Sequence, residues 1–166
     1  MLLYHGSNLA VIKPQLVAQT RGLDFGTGFY TTTTEKQAIV FSQIVTRRRK
    51  SGVPIVSVFE IDMEMAEKSL SILKFENADI DWFRFVIANR LKAYKGDSYD
   101  IVIGAVANDA VMPSIQAFMG GFLTEEAAII SLETSNLADQ ACLKSESALS
   151  MLSFIKTFNA TTGGHR

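Results

Sequence analysis

The stretch 24-DFGTGFYTT-32 decides how this chain is read. Gly26 and Gly28 bracket a threonine and lead straight into a Phe-Tyr pair and a run of hydroxyls. Glycine lets a backbone turn sharply or come close to a ligand. An aromatic ring just past such a bend is either core filling or a platform for something flat. Read as a strand, "GFYTTT" sends Phe29 and Tyr30 to opposite faces. Upstream, "MLLYHGS" (1–7) reads as a short strand ending in a Gly-Ser turn. Downstream, Thr34 and Gln37 have capping-box spacing and precede Ala38, Phe41 and Val45, an apolar stripe that predicts a helix over 35–47.

Further along, "VPIVSVFEID" (53–62) is rich in β-branched and aromatic residues and predicts a strand. A short strand is expected in "SLSILKFE" and a helix over 78–93. "YDIVIGAVA" (99–107) reads as a strand, mostly apolar and therefore central. "AVMPSIQAFMGG" predicts a helix with Pro113 early and glycines at its end, and 124–134 predicts another. "DQACLK" reads as a strand, and "SESALSMLSFI" opens on a Ser145 cap. Strands and helices do not alternate regularly, which disfavours a doubly wound sheet and predicts an α+β fold. One domain over 1–158 and a flexible, Gly-rich tail over 159–166 are expected.

Bulk composition narrows the chemistry. Of 166 residues, 48% are hydrophobic, enough for a packed core, and the net charge of −1 advertises no nucleic acid or anionic membrane. The basic run "TRRRK" (46–50) reads as a solvated helix end. A lone cysteine, Cys142, excludes an internal disulfide and reads as a buried thiol in a reducing compartment. "MLLYHGSNLAVI" lacks the pattern of a secretion signal, and no apolar run approaches the ~20 residues that span a bilayer. A soluble, cytoplasmic protein with no membrane contact is expected.

Two histidines, His5 and His165, are too few for a zinc or iron site, so no metal is expected. No G-x-S-x-G elbow is present, and "GLDFGTG" lacks the Lys-Ser/Thr ending of a phosphate loop.

What remains is "YHGS" (4–7) followed by "FGTGFYTT" (25–32) and a helix. This pattern resembles the H-Y-x branch of the ADP-ribosyltransferase superfamily, which includes diphtheria toxin and the poly-ADP-ribose polymerases. "DWFRFVIANR", "YDIVIGAVAND" and "QACLKSESALSML" extend the likeness, over residues 1–155, to a small bacterial family of that clan. Its members are encoded beside short helical proteins in a toxin–antitoxin-like arrangement. The resemblance implies split antiparallel β-sheets with flanking helices. It implies NAD as co-substrate, a macromolecular acceptor and a small helical antitoxin partner. Release of nicotinamide would pass through an oxocarbenium-like state, helped by pre-placed polar groups.

By the same resemblance, the backbone of Gly6 binds the nicotinamide carboxamide and His5 donates to a ribose hydroxyl. Tyr30 stacks on the cationic ring. Ser7, Thr31 and Thr32 offer hydroxyls, and Gly26 and Gly28 let the loop close. Phe29 and Phe41 complete the cofactor-binding set. The family's third strand usually carries a Glu; here Gln140 aligns, with Asp109 a second acidic candidate and Glu133, Asp139 and Glu146 less well placed. Asn108-Asp109 reads equally as a helix cap. Trp82 and Phe83 read as core, and Arg90 as a salt-bridge partner or a neighbour of the cofactor phosphates. Three readings stay open: transfer to an acceptor, NAD hydrolysis, and a degenerate NAD-binding module.

Overall fold

The structure is a computed structural model, and it describes residues 1–133 and 137–162. In chain order it runs β1 (Leu2–Ser7), β2 (Phe29–Thr32), α1 (Glu35–Arg49), β3 (Ile55–Ile61), α2 (Met63–Ser69), β4 (Ile72–Lys74) and α3 (Ile80–Arg90). There follow β5 (Ile101–Ala105), α4 (Met112–Met119), α5 (Glu125–Glu133), β6 (Asp139–Leu143), α6 (Glu146–Ser150), β7 (Leu152–Asn159) and a 3₁₀ turn, Ala160–Thr162. The fold is α+β.

All seven strands join one sheet in the order β4-β5-β6-β2-β1-β3-β7, with β4 and β5 parallel and the other pairs antiparallel. The two separate sheets expected from the sequence are therefore not formed. They are fused at a narrow seam: β1 and β2 share a single register pair, Tyr4 with Thr32, whereas β1 pairs with β3 from Leu2 to Ser7.

Pleat alternation sorts the side chains into cores on opposite faces. Tyr30 stands opposite Cys142, and Cys142 opposite Val102, on the face that packs Trp82, Phe83 and Val86 of α3 and Ile115 of α4. Phe29, Leu143 and Ile101 point the other way, into a core with Leu3, Phe59, Ala66 of α2 and Leu149 of α6. Helix α1 lays Ala38 against Val56 and Val58 of β3. Trp82 and Phe83 are fully buried, as expected for core residues.

Several local expectations change. Thr34 is the N-cap of α1 by position, but its side chain makes no cap hydrogen bond. α2 has no counterpart among the elements expected from the sequence; Asp62 caps it by accepting from Met65 N. The "SESALSMLSFI" segment splits, with Ser145 capping the short α6 before the chain re-extends as β7. The chain is held at the start of the tail expected over 159–166: Ala160 is buried against Val56 and its N–H donates to the Pro54 carbonyl at 2.8 Å; residues 163–166, including His165, lie outside the described residues. Among the described residues no helix is long and apolar enough to cross a membrane.

Candidate functional site

The neighbouring strands β1, β2 and β6 carry His5-Gly6, Tyr30 and Gln140, so one stretch of sheet gathers the three positions singled out in the sequence. At the seam the ladder between β1 and β2 gives way to a side chain: His5 Nδ1 lies 2.7 Å from the Tyr30 carbonyl oxygen. A carbonyl can only accept, so Nδ1 carries the proton. Burial pushes the imidazole below its ordinary range. The Tyr30 carbonyl pulls it back up, and the positive charge of Arg49 adds to the lowering. The ring is therefore neutral near pH 7, with its lone pair on Nε2. His5 thus offers a hydrogen-bond acceptor there, not the donor expected from the sequence. Nε2 has no partner among the described residues, where every fully buried side-chain N or O has one, so this nitrogen reaches solvent.

The imidazole stacks on Phe29, ring centroids 4.4 Å apart. Because Phe29 and Tyr30 point to opposite faces, the imidazole and the phenol stand on opposite sides of β2. The link between the two positions runs from ring to backbone. The Tyr30 ring lies 6.5 Å from Phe25, and its hydroxyl donates to the Gly26 carbonyl at 2.6 Å while accepting from Phe25 N at 3.0 Å. Burial raises its pKa far above the ordinary phenol range. The phenol is thus a brace for the turn that precedes its own strand. Gly26 takes φ +77°, a conformation that explains the glycine by backbone geometry.

Gly6 owes its missing side chain to α1: a Cβ there would come 2.2 Å from the Ala38 carbonyl oxygen. A Cβ at Gly28 would strike Cys142 Sγ at 2.3 Å. Both glycines are required by close packing of protein on protein. Thr31 Oγ1 donates to the Ala141 carbonyl and Thr32 Oγ1 to that of Asp139, both at 2.9 Å, so these hydroxyls staple β2 to β6. Ser7 is buried, with its Oγ 3.5 Å from Asn8 Oδ1. Lys144 Nζ donates to the carbonyls of Phe25 and Thr27, closing the far side of the turn. Burial lowers its pKa and raises that of the adjacent Cys142 thiol to about 12, which makes Cys142 an inert core residue.

Phe41 stays 45% exposed. On α1, Ala38, Ser42 and Val45 are buried and Gln43 reaches the Ala160 carbonyl. Helical spacing puts Phe41 and Ile44 on the flank away from Gln43, toward β2. Phe41 thus presents a half-exposed ring on that flank.

Gln140 is buried, and its Nε2 donates to Asp24 Oδ2 at 3.0 Å and, more weakly, to the Ala105 carbonyl at 3.4 Å. Asp24 opens the 24–32 stretch, yet no motif in the sequence singles it out. Its carboxylate also accepts from Arg90 Nε at 2.7 Å and from Ala107 N at 3.2 Å. Arg90 is therefore the ion-pair partner of Asp24. A lone acid before a Gly-rich turn is the available signal, but its partners lie 66 and 116 residues away.

Asp109 is exposed on the turn after β5, and the side chain that bonds there is Asn108, accepting from Ala110 N at 2.9 Å. The structure does not bring Asp109 to His5, Tyr30 or Gln140 through any hydrogen bond or ion pair. Asp139 and Glu146 are exposed, and the side chain of Glu133 lies outside the described residues. No three His, Cys, Asp or Glu side chains gather as a metal site among the described residues. A cavity of about 730 Å³ opens beside Ala105 and Asp139, floored by Phe75, Ile129 and Leu132.

A protein family described as "Protein of unknown function (DUF3990)" matches residues 1–154. No curated protein and no solved structure matches the chain.

Proposed function

The chain belongs to the DUF3990 family, and we propose that it is an NAD-dependent ADP-ribosyltransferase acting on a macromolecule. The observation that carries this reading is the placement of His5-Gly6, Tyr30 and Gln140 on three adjacent strands, in the arrangement that the H-Y-x resemblance implies. Two further features fit a dinucleotide. His5 Nε2 and the Gln140 carbonyl oxygen lack partners among the described residues and are acceptors suited to ribose hydroxyls. Gln140 shares the Tyr30 and Cys142 face and His5 the Phe29 face, so a dinucleotide reaching both crosses the β1–β2 seam. Phe41 offers an exposed ring for a flat cationic base.

NAD supplies a bond between ribose C1′ and a nicotinamide leaving group. That bond breaks with its electron pair going to nicotinamide, and a nucleophile of the acceptor bonds C1′ and loses its proton. The protein's part is positioning. His5 is fixed by the Tyr30 carbonyl, the Gly26 turn is braced by the Tyr30 phenol and by Lys144, and Gln140 is held by Asp24. The stacking role expected of Tyr30 passes to Phe41 in this scheme. A toxin restrained by a small helical partner fits the exposed Val40, Phe41 and Ile44 on α1, followed by Arg47 and Arg48.

Incubation with NAD labelled on the adenylate tests the reading. Free nicotinamide together with label on a macromolecular acceptor is expected. Nicotinamide without labelled acceptor would replace transfer by hydrolysis. Saturable NAD binding with no nicotinamide release would make the chain a binding module.

A further inference from the structure

The carboxylate of Asp24 is surrounded by N–H donors alone: Arg90 Nε and Nη2 on Oδ1, and Ala107 N and Gln140 Nε2 on Oδ2. Only a group with acceptors on both sides satisfies that ring. An acceptor-only neighbour also fixes the Gln140 amide, because its NH₂ must face Asp24 and its carbonyl oxygen must face away. Gln140 is 7% exposed, and its Oε1 has no partner among the described residues. Fully buried side-chain polar atoms there all have partners, so Oε1 keeps contact with solvent.

We propose that Asp24 is a positioning residue for the ligand site: it orients Gln140 so that a carbonyl oxygen is presented outward, and the Asp24–Gln140 pair takes the place of a single carboxylate on β6. This rests on the reading of the site as an NAD site, and it explains why position 140 is Gln. A Glu there would set a second carboxylate about 3 Å from Asp24, where two like charges oppose each other's ionisation. Gln delivers the same outward acceptor while satisfying Asp24 on its inner side. The negative charge remains one hydrogen bond behind the amide, and it polarises the outward oxygen through that bond.

The donor ring makes an unusual prediction for Asp24→Asn. The Arg90 guanidinium holds the oxygen of the new amide, so the new NH₂ takes the place of Oδ2, turns toward Gln140 and leaves the Ala107 N–H without its acceptor. Gln140 must then rotate to accept with Oε1, and it turns its own NH₂ outward. The site loses its acceptor and gains a donor. In the double variant Asp24→Asn/Gln140→Glu, the new carboxylate on β6 accepts from the new amide at position 24 with one oxygen. It shows its other oxygen outward, so the acceptor returns.

The experiment compares wild type, Asp24→Asn, Gln140→Glu and the double variant. Nicotinamide release is resolved into kcat and KM, urea unfolding is run in parallel, and the Gln140 side-chain NH₂ is followed by NMR in the two proteins that keep it. In wild type the NH₂ protons exchange slowly. In Asp24→Asn they exchange fast, and kcat falls about tenfold to a hundredfold, the loss expected for one ligand hydrogen bond. The double variant recovers kcat to within about threefold of wild type and is more stable than the sum of the single variants predicts. Activity loss that tracks the folded fraction in every variant, without rescue in the double variant, overturns the positioning role. Wild type that releases no nicotinamide overturns instead the NAD reading on which it rests, an outcome that the NMR and urea results cannot mimic.

Discussion

Toward β6, strand β2 is fastened by four register pairs, Phe29 to Thr32 against Leu143 to Gln140, and by the hydroxyls of Thr31 and Thr32. Toward β1 it meets one register pair, Tyr4 with Thr32, and an imidazole. The turn before β2 is pinned on the β6 side as well, by Lys144 and by the chain from Asp24 to Gln140. One edge is sealed by groups bonded inside the protein, with Gln140 Oε1 the acceptor left over there among the described residues. At the other edge the ladder stops after one pair, and His5 keeps a free acceptor. Sites that bind ligands need unspent polar groups held on a rigid frame, and the difference between the edges supplies both.

The largest expected effect breaks the sealed edge. Asp24→Ala leaves the Arg90 guanidinium, the Ala107 N–H and the Gln140 amide without their common acceptor, and should cost about 3–5 kcal/mol in urea unfolding. A loss under about 1 kcal/mol would show that the network is dispensable. On the open edge, Gly6→Ala drives a Cβ into the Ala38 carbonyl and should cost about 2 kcal/mol by shifting α1 away from β1. Tyr30→Phe removes the hydroxyl bonds to Gly26 and Phe25 while keeping the ring, and should cost about 1–2 kcal/mol. A neutral outcome for Tyr30→Phe would mean that Lys144 alone braces the turn.

A smaller effect comes from His5. Its folded pKa lies below the ordinary value of about 6.5, so the unfolded chain binds the proton more readily. The neutral imidazole costs nothing in stability above about pH 6.5. As pH falls below that value stability drops, and it levels off only below the folded pKa. His5→Gln should flatten the thermal midpoint between those limits; an unchanged pH slope would place the titration elsewhere. Smallest of all in stability is Phe41→Ala, expected within about 0.5 kcal/mol because the ring is half exposed. Its NAD affinity should nonetheless fall, which separates a ligand contact from a packing contact.

Local periodicity carried most of the fold. α1, α3, β3 and β5 lie where the spacing of Ala38, Val45, Val86 and the apolar run at 101–105 puts them, because each buries its own stripe or face. What local pattern could not convey was pairing. β7 exposes most of its residues at the sheet edge, so its strand character comes from the ladder to β3 and leaves little alternation to read. The near-division of the sheet at β1 and β2 is likewise a property of register. In the candidate site, the strand positions of His5, Gly6, Tyr30 and Gln140 were legible. Their hydrogen-bonding roles were not, since the tautomer of His5 depends on the Tyr30 backbone and the orientation of Gln140 on a carboxylate far away in sequence. The packing demand on the glycines was illegible for a related reason: a missing Cβ reads the same whether a ligand or a helix fills the space.

The most direct measurement is an NAD titration of ¹⁵N-labelled protein, followed residue by residue. Saturable shifts are predicted at His5 to Ser7, at Phe29 to Thr32 and around Phe41, with β7 and α4 unmoved. Saturable shifts confined to other elements, or a spectrum that NAD leaves unchanged, would contradict the assignment of the β1–β2 seam as the nucleotide site.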